Sequence, residues 1–171
     1  SAPYIALQDS DDQALPERLE AQFNVFREHG EVDVVGGSMM ANEAGRQWIL
    51  TYPTDHRDIR AELDEGKMPI ANACVMFTRG WFERTSGFNT DLQRLEDFDL
   101  YYRERARTLF AGLRQPLTNY CFRTFSKDQW IAEESLRLAL VGSKERVGTV
   151  GYVKYRLAVW SQKRGLGLTR R

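Results

Sequence analysis

The chain has 171 residues, of which 42% are hydrophobic, so it is long enough for one domain with its own core and too short for two of ordinary size. Its 24 basic residues balance 24 acidic residues, which argues against a nucleic-acid partner and against a strongly acidic substrate. No apolar run reaches the roughly 18 residues of a membrane-spanning helix, and the N-terminus lacks the pattern of a secretion signal. Cys74 and Cys121 lie far apart in apolar segments without a CxxC spacing, which favours two buried, reduced thiols. We therefore expect a cytoplasmic domain.

The first part of the sequence alternates between strand and helix patterns. The apolar run Tyr4–Leu7 predicts a strand covered on both faces. A helix pattern follows, with Pro16 in its first turn and Gly30 at its end. The apolar positions of this helix are Leu15, Leu19, Phe23 and Phe26. Residues 32–35 predict a second strand that ends at the glycine pair 36–37, and residues 48–52 predict a third.

The remaining patterns continue this alternation. In order, they predict a helix at 55–66, a strand at 73–78, a helix at 79–85, a turn at 86–89, a helix at 97–112, a strand at 117–122 and helices at 128–141 and 147–162. Apolar strands with intervening helices predict a layered α/β domain. A strand covered on both faces needs neighbours on each side, and none precedes Tyr4, so we expect a missing upstream segment. The unpaired sheet edge at Tyr4 would also favour self-association into a homo-oligomer.

Three aspartates follow the first predicted strand within four positions, in the stretch QDSDD. In an extended strand, Asp9 and Asp11 project to the same side. Their mutual repulsion would be relieved by a hard divalent cation such as Mg²⁺ or Mn²⁺, which needs only one or two carboxylates when a phosphate completes its shell. The alternative is that these residues form a turn and cap the following helix, a role that Asp12 alone could fill.

A second acidic pair, Glu96 and Asp97, stands at the start of the predicted helix from residue 97. One interpretation is an ordinary charged first turn, which the helix dipole favours. The other is a general base, because a sugar hydroxyl is a poor nucleophile near neutral pH until a carboxylate takes its proton. The residues alone leave both interpretations open.

The ordered combination of these motifs resembles the family-two inverting glycosyltransferases of the GT-A fold. The sequence shows YIALQDSDD at 4–12, LPERLE at 15–20, SGFN at 86–89 and EDFDLYYR at 96–103. In that family, a strand ending in an aspartate-rich segment precedes a helix that opens with Pro, and a GGF segment with an ED pair follows much later. The resemblance covers residues 4–125 and implies a partial GT-A-like layered domain with a mixed sheet and flanking helices. It also implies that residues 1–125 are the metal-binding and acceptor half of this domain.

The resemblance implies a role for each matching residue. Asp11 would bind the metal on the nucleotide diphosphate, and Asp9 would assist through the metal shell or the ribose. Asp97 would be the catalytic base, with Glu96 as the alternative. The turn Ser86-Gly87-Phe88 would shape the acceptor pocket. The position where the family often carries a metal-binding His is Phe125 here, so no third protein ligand is expected.

The reaction implied by the resemblance is metal-assisted transfer of a sugar, with inversion, from a nucleotide-diphospho-sugar to a saccharide or lipid-linked acceptor, as in polysaccharide biosynthesis. The segment that binds the nucleotide base in this family has no counterpart here, so we expect the isolated chain to be weakly active or inactive. The alternative from another class is a non-catalytic α/β binding or scaffolding module. In that case the acidic segments only cap helices.

The C-terminal extension, residues 126–171, is predicted to be helical and becomes basic toward its end. Its basic residues are Lys127, Arg137, Lys144, Arg146, Lys154, Arg156, Lys163, Arg164, Arg170 and Arg171. From residue 144 onward, Glu145 is the single acidic residue. The interleaved apolar residues allow a basic amphipathic helix that lies on the anionic inner face of a membrane. A solvated helix packed on the domain is the alternative.

Overall fold

The computed structural model describes residues 2–143 and 148–164. Its strands are β1 (Tyr4–Ala6), β2 (Gln13–Ala14), β3 (Val34–Glu43), β4 (Arg46–Leu50), β5 (Met76–Thr78) and β6 (Phe110–Cys121). Its α-helices are α1 (Arg18–Glu28), α2 (His56–Asp64), α3 (Arg79–Arg84), α4 (Glu96–Glu104), α5 (Lys127–Leu140) and α6 (Thr149–Lys163), and a short 3-10 helix spans Asn72–Cys74.

The described strands form one mixed sheet in the order β1-β5-β3-β6-β2, with β4 paired to β3 as a hairpin. Strand β5 is antiparallel to both β1 and β3, while β6 is parallel to β3, so β1, β3 and β6 run in the same direction. The carboxyl ends of these three strands therefore point toward the same edge of the sheet. In open α/β sheets this edge is where ligands bind.

Helices cover both faces of the sheet, as the alternation of side chains along the strands requires. Val34 and Phe77 belong to a core cluster that includes side chains of α2, α3 and α4. Their neighbours Val35 and Met76 point to the opposite face and pack with Phe26 of α1. The expectation of a mixed α/β domain with flanking helices is confirmed.

The sheet is longer than the sequence patterns predict. Strand β3 does not end at the glycine pair but continues to Glu43, and the helix predicted over residues 97–112 ends at Glu104. Residues 110–113 instead pair with β3, so hydrogen bonding to a distant strand overrides the local helical pattern. Gly112 is not a helix terminator. A Cβ atom at this position would lie 2.5 Å from the Pro53 carbonyl oxygen, so the close approach of two backbones requires glycine.

The face of α1 that is buried differs from the predicted apolar face. Leu19 and Phe23 are 56% and 44% exposed, although their spacing predicts a core position. The buried residues of this helix are Arg18, Gln22 and Phe26. Polar groups occupy the buried face because carbonyl groups at the ends of β1 and β5 require donors there.

Two further expectations, on strand β1 and on Cys121, differ from the structure. Strand β1 lies at the edge of the described sheet and is half-buried, so it is not covered on both faces. Cys74 is buried as predicted, but Cys121 is exposed at the end of β6, and both thiols are free. Of the basic C-terminal residues, Lys144, Arg146, Arg170 and Arg171 lie outside the described residues, as does Glu145.

Among the helices of the described ranges, none is long and apolar enough to cross a membrane.

Candidate functional site

The three aspartates lie in a tight turn, not in an extended strand. The Asp12 N–H donates to the Asp9 carbonyl at 3.2 Å and closes a four-residue turn, which we call the acidic turn (Asp9–Asp12). The prediction that Asp9 and Asp11 share one side of an extended strand is therefore wrong. The turn instead packs against the end of β6, where the Cys121 N–H donates to Asp12. There, burial first and then the charges of all three aspartates raise the pKa of Tyr120.

Asp12 attaches the acidic turn to the sheet. Its carboxylate accepts a hydrogen bond from the Cys121 N–H at 2.8 Å, and its second oxygen is buried without a hydrogen-bond partner among the described residues. Burial raises the pKa of Asp12, and the charges of Asp9 and Asp11 raise it further. The alternative interpretation of Asp12 as a helix cap does not describe this bond, because the bond crosses to another strand.

Asp11 lies on the exposed side of the acidic turn. One of its carboxylate oxygens accepts a hydrogen bond from Arg123 at 2.8 Å, and both side chains of this ion pair are largely exposed. Asp11 borders a shallow depression of about 230 Å³ that Asn42, Asn119 and Tyr120 also line. Arg123 follows β6, so the carboxyl ends of β1 and β6 supply the negative and positive groups of this pair.

The acidic turn carries oxygen ligands of the type that hard divalent cations prefer. Asp9 and Asp11 supply carboxylate oxygens, which suit Mg²⁺ and Mn²⁺, and the second oxygen of Asp12 is an unsatisfied buried acceptor beside them. No group of three or more His, Cys, Asp or Glu side chains arranged to hold a metal occurs in the described part of the chain. The protein therefore offers an open set of oxygen ligands that water or phosphate would have to complete.

Asp97 occupies the first turn of α4 and is partly buried. Its carboxylate accepts a hydrogen bond from the Phe98 N–H at 2.7 Å. Burial is the main cause that raises the pKa of Asp97 to about 6, and the negative charges of Glu96 and Asp9 are smaller causes in the same direction. The charge of Asp9 acts on Asp97, so the structure brings the first acidic segment within electrostatic reach of the second.

A buried tyrosine adjoins Asp97 from the core side. Tyr101 is fully buried, and its hydroxyl donates to the Asn72 side-chain oxygen at 3.0 Å. Burial, with the charge of Asp97 as the next cause, raises the pKa of Tyr101 well above its usual value. This tyrosine stays protonated and forms an uncharged wall beside the Asp97 carboxylate.

The segment Ser86-Gly87-Phe88 forms a tight turn fixed from α4. Ser86 and Gly87 both have positive φ angles of 61° and 69°. Arg103 donates hydrogen bonds to the carbonyl groups of Thr85, at 2.8 Å, and of Gly87. Phe88 packs edge-on against Phe82, and Ser86 is exposed. The Arg103 guanidinium therefore holds the turn.

Sequence reasoning missed the polar residue that organises the strand ends beneath the acidic turn. The Arg18 side chain is 2% exposed and donates to the carbonyl groups of Leu7 at 2.5 Å, Ala73 at 3.2 Å and Val75 at 3.3 Å. Burial lowers the pKa of Arg18, while the nearby charges of Asp9 and Asp12 oppose this shift. The available signal was the pair Arg18 and Gln22, spaced four residues apart on the face that also carries Phe26.

Comparison with known proteins identifies the family. The family model of the family 2 glycosyl transferases matches residues 1–86, which is half of the chain. The chain belongs to glycosyl transferase family 2. Within this family 2 chain, the matched segment contains the acidic turn and Ser86, whereas Asp97 lies beyond it.

One curated relative of this family 2 chain is the amylovoran biosynthesis glycosyltransferase AmsE of Erwinia amylovora. The two proteins are 29% identical over 100 residues, and the match covers 58% of this chain. It covers 37% of AmsE, so the chain spans little more than a third of the relative that it matches.

Proposed function

We propose that this chain carries the diphosphate-binding and acceptor side of an inverting glycosyltransferase that uses a nucleotide-diphospho-sugar donor. Family membership supports glycosyl transfer in general. The observation that carries the finer proposal is Asp97, a partly buried carboxylate with a pKa raised to about 6 by burial and by neighbouring negative charge that includes Asp9. Perturbed carboxylates beside a second acidic group are typical of catalytic sites.

Asp97 has the properties of a general base for an acceptor hydroxyl. With a pKa of about 6, the group is largely ionised at neutral pH and is more basic than an exposed aspartate. Asp97 would take the proton of the hydroxyl while the hydroxyl oxygen bonds to the anomeric carbon, and the bond from this carbon to the nucleotide diphosphate would break in the same step. A single displacement inverts the configuration at that carbon.

The acidic turn would face the leaving group of this reaction. Asp11, assisted by Asp9, would hold a Mg²⁺ or Mn²⁺ ion. When bound, such an ion supplies positive charge that stabilises the departing diphosphate. Arg123, an exposed guanidinium paired with Asp11, would bind a diphosphate oxygen directly, because arginine matches the geometry of phosphate.

The acceptor would approach from the side of α4, where the turn at Ser86-Gly87-Phe88 is fixed by Arg103. A hydroxyl of a saccharide or of a lipid-linked sugar would meet Asp97 there. These hydrogen bonds attach the turn to the same helix that carries Asp97. This arrangement supports the assignment of Ser86, Gly87 and Phe88 to the acceptor pocket.

The test compares Asp97→Asn and Asp11→Asn with a matched control in the full-length protein. Asp128→Asn is the control, since Asp128 is also the second residue of an α-helix but is exposed and remote in sequence from both acidic segments. We expect Asp97→Asn to lower kcat by about 10²- to 10⁴-fold. Asp11→Asn should weaken the dependence of the rate on Mn²⁺, and the control should keep its activity.

Two further readouts separate catalysis from a structural effect. The rate should fall as the pH drops through about 6, where Asp97 becomes protonated, and NMR of the product should show an inverted anomeric centre. Full transfer activity in folded Asp97→Asn would contradict the proposal. It would favour the alternative, a non-catalytic binding module.

A further inference from the structure

The outward face of α6 carries a row of exposed apolar side chains, which we call the outer stripe. It consists of Val150, Val153, Leu157 and Trp160, which are 72%, 49%, 56% and 47% exposed. Spacings of three and four residues place them on one side of the helix. Four large apolar groups held in water along one helix face mark an interaction surface.

The opposite face of α6 is bound to the domain, so the helix cannot roll over to bury the outer stripe. The Tyr155 hydroxyl accepts a hydrogen bond from the Phe125 N–H at 3.0 Å, and the Tyr155 ring stacks on Trp130. Val159 is 8% exposed, and Lys163 forms an ion pair with Glu43 at the end of β3. These contacts fix the rotation of the helix about its axis.

Basic residues surround the outer stripe. The described residues 148–164 contain four basic residues and no acidic residue. Lys154 and Arg156 are exposed and, at 100° per residue, flank the stripe on its two sides. Arg164 is exposed at its end and lies over the Trp160 ring, with its central guanidinium carbon 4.4 Å from the ring centroid. An apolar row with basic borders is typical of a helix that lies in a membrane interface.

We propose that the outer stripe of α6 binds the surface of an anionic lipid bilayer, with the helix lying in the plane of the interface. The charge of α6 favours a lipid surface over a second copy of the chain as the partner of the outer stripe. Two copies that met at this face would bring together two basic helices without acidic residues, and these would repel each other. An anionic lipid surface instead attracts each exposed base. This inference does not depend on the transferase activity.

The experiment measures co-sedimentation of the 171-residue chain with phosphatidylcholine vesicles that contain or lack phosphatidylglycerol. We expect binding to the anionic vesicles, weakened by salt, and little binding to the neutral ones. Leu157→Asp should abolish binding, whereas Leu19→Asp should keep it. These two leucines are matched, since each is 56% exposed and each lies on a helix.

A second variant tests the charges separately. Replacing Lys154, Arg156 and Arg164 by Gln should lower the affinity for anionic vesicles on the order of 100-fold, because each base near an anionic surface contributes roughly a factor of five. Arg57→Gln is the control, since its side chain is 91% exposed on α2. The fluorescence of Trp160 should shift to the blue on binding, and Trp160→Phe should remove this shift.

Three results would overturn the proposal. The first is equal or negligible binding of the folded chain to both kinds of vesicle. The second is loss of binding in Leu19→Asp to the same degree as in Leu157→Asp. The third is a dimer in light scattering that Leu157→Asp converts to a monomer, which would assign the outer stripe to a second copy.

Discussion

Arg18→Ala is the substitution that tests most directly how the strand ends beneath the acidic turn are held. Arg18 donates to two carbonyl groups that have a second donor, since Val75 also accepts from the Leu7 N–H at 3.1 Å and Ala73 from the Thr118 hydroxyl at 3.4 Å. Two other acceptors, the partly buried Leu7 carbonyl and the buried Gln22 side-chain oxygen, have no second donor in the described part of the chain. Alanine would leave these two without a partner.

The expected cost follows from these two acceptors. An unsatisfied buried acceptor costs about 1–3 kcal/mol, and the partly buried Leu7 carbonyl costs less because water reaches it, so the pair predicts a loss of about 2–4 kcal/mol in the free energy of unfolding. For a chain of this length, about 3 kcal/mol corresponds to a fall in Tm of roughly 6–12 °C. Urea denaturation and thermal melting of Arg18→Ala measure both quantities. Arg57→Ala is the control, because the Arg57 side chain is 91% exposed and should cost almost nothing.

A melting temperature of Arg18→Ala equal to that of Arg57→Ala would refute this reasoning. It would mean that water reaches the strand ends and replaces the guanidinium. Arg18→Lys refines the test, because it keeps the positive charge near Asp9 and Asp12 but cannot reach several carbonyl groups at once. We expect it to recover only a part of the lost stability.

Two further predictions concern stability at other positions. The pKa of Asp97 in the folded state, about 6, lies above its unfolded value of 3.8, so stability falls as the pH rises between these values. Asp97→Asn should therefore be more stable than the wild type at pH 7, by at most about 3 kcal/mol, and should lose this advantage below about pH 4 in urea titrations. Gly112→Ala should cost about 1–3 kcal/mol, because its Cβ would lie 2.5 Å from the Pro53 carbonyl oxygen. Gly30→Ala, with no atom within 4 Å of the added Cβ, should be neutral in the same melts.

Local patterns predicted the positions of most helices well, apart from the end of α4, and the sheet less well. Helix α5 (Lys127–Leu140) carries its own start signal, a capping box between Ser126 and Gln129, and it lies within one residue of its predicted bounds. Strand β6 carries no such signal between Phe110 and Leu113, because its state is fixed by pairing with β3, more than 70 residues away in sequence. A single window of sequence does not contain that partner.

The candidate site shows the same difference between residues with a local sequence signal and residues fixed by distant partners. The acidic residues Asp9, Asp11 and Asp97 stand out in the sequence because each belongs to a short motif with a chemical reason. Arg18 and Arg123 do not stand out in the sequence. Arg18 binds carbonyl groups that are distant in sequence, and Arg123 binds a carboxylate 112 positions away. Their importance depends on which strand ends meet, and this is a property of the topology.

The loop after β6 connects the two proposed surfaces. Arg123 in this loop pairs with Asp11 of the acidic turn, while Phe125 bonds to Tyr155 of α6. Between them, Thr124 donates its backbone N–H and its hydroxyl to the Glu43 carboxylate, each at 2.8 Å, and Glu43 also binds Lys163 of α6. Under both proposals, α6 would lie on the bilayer and would hold the acidic turn at a fixed distance from the lipid surface. That arrangement favours a lipid-linked acceptor over a freely diffusing saccharide, because the lipid anchor and α6 would then occupy the same interface.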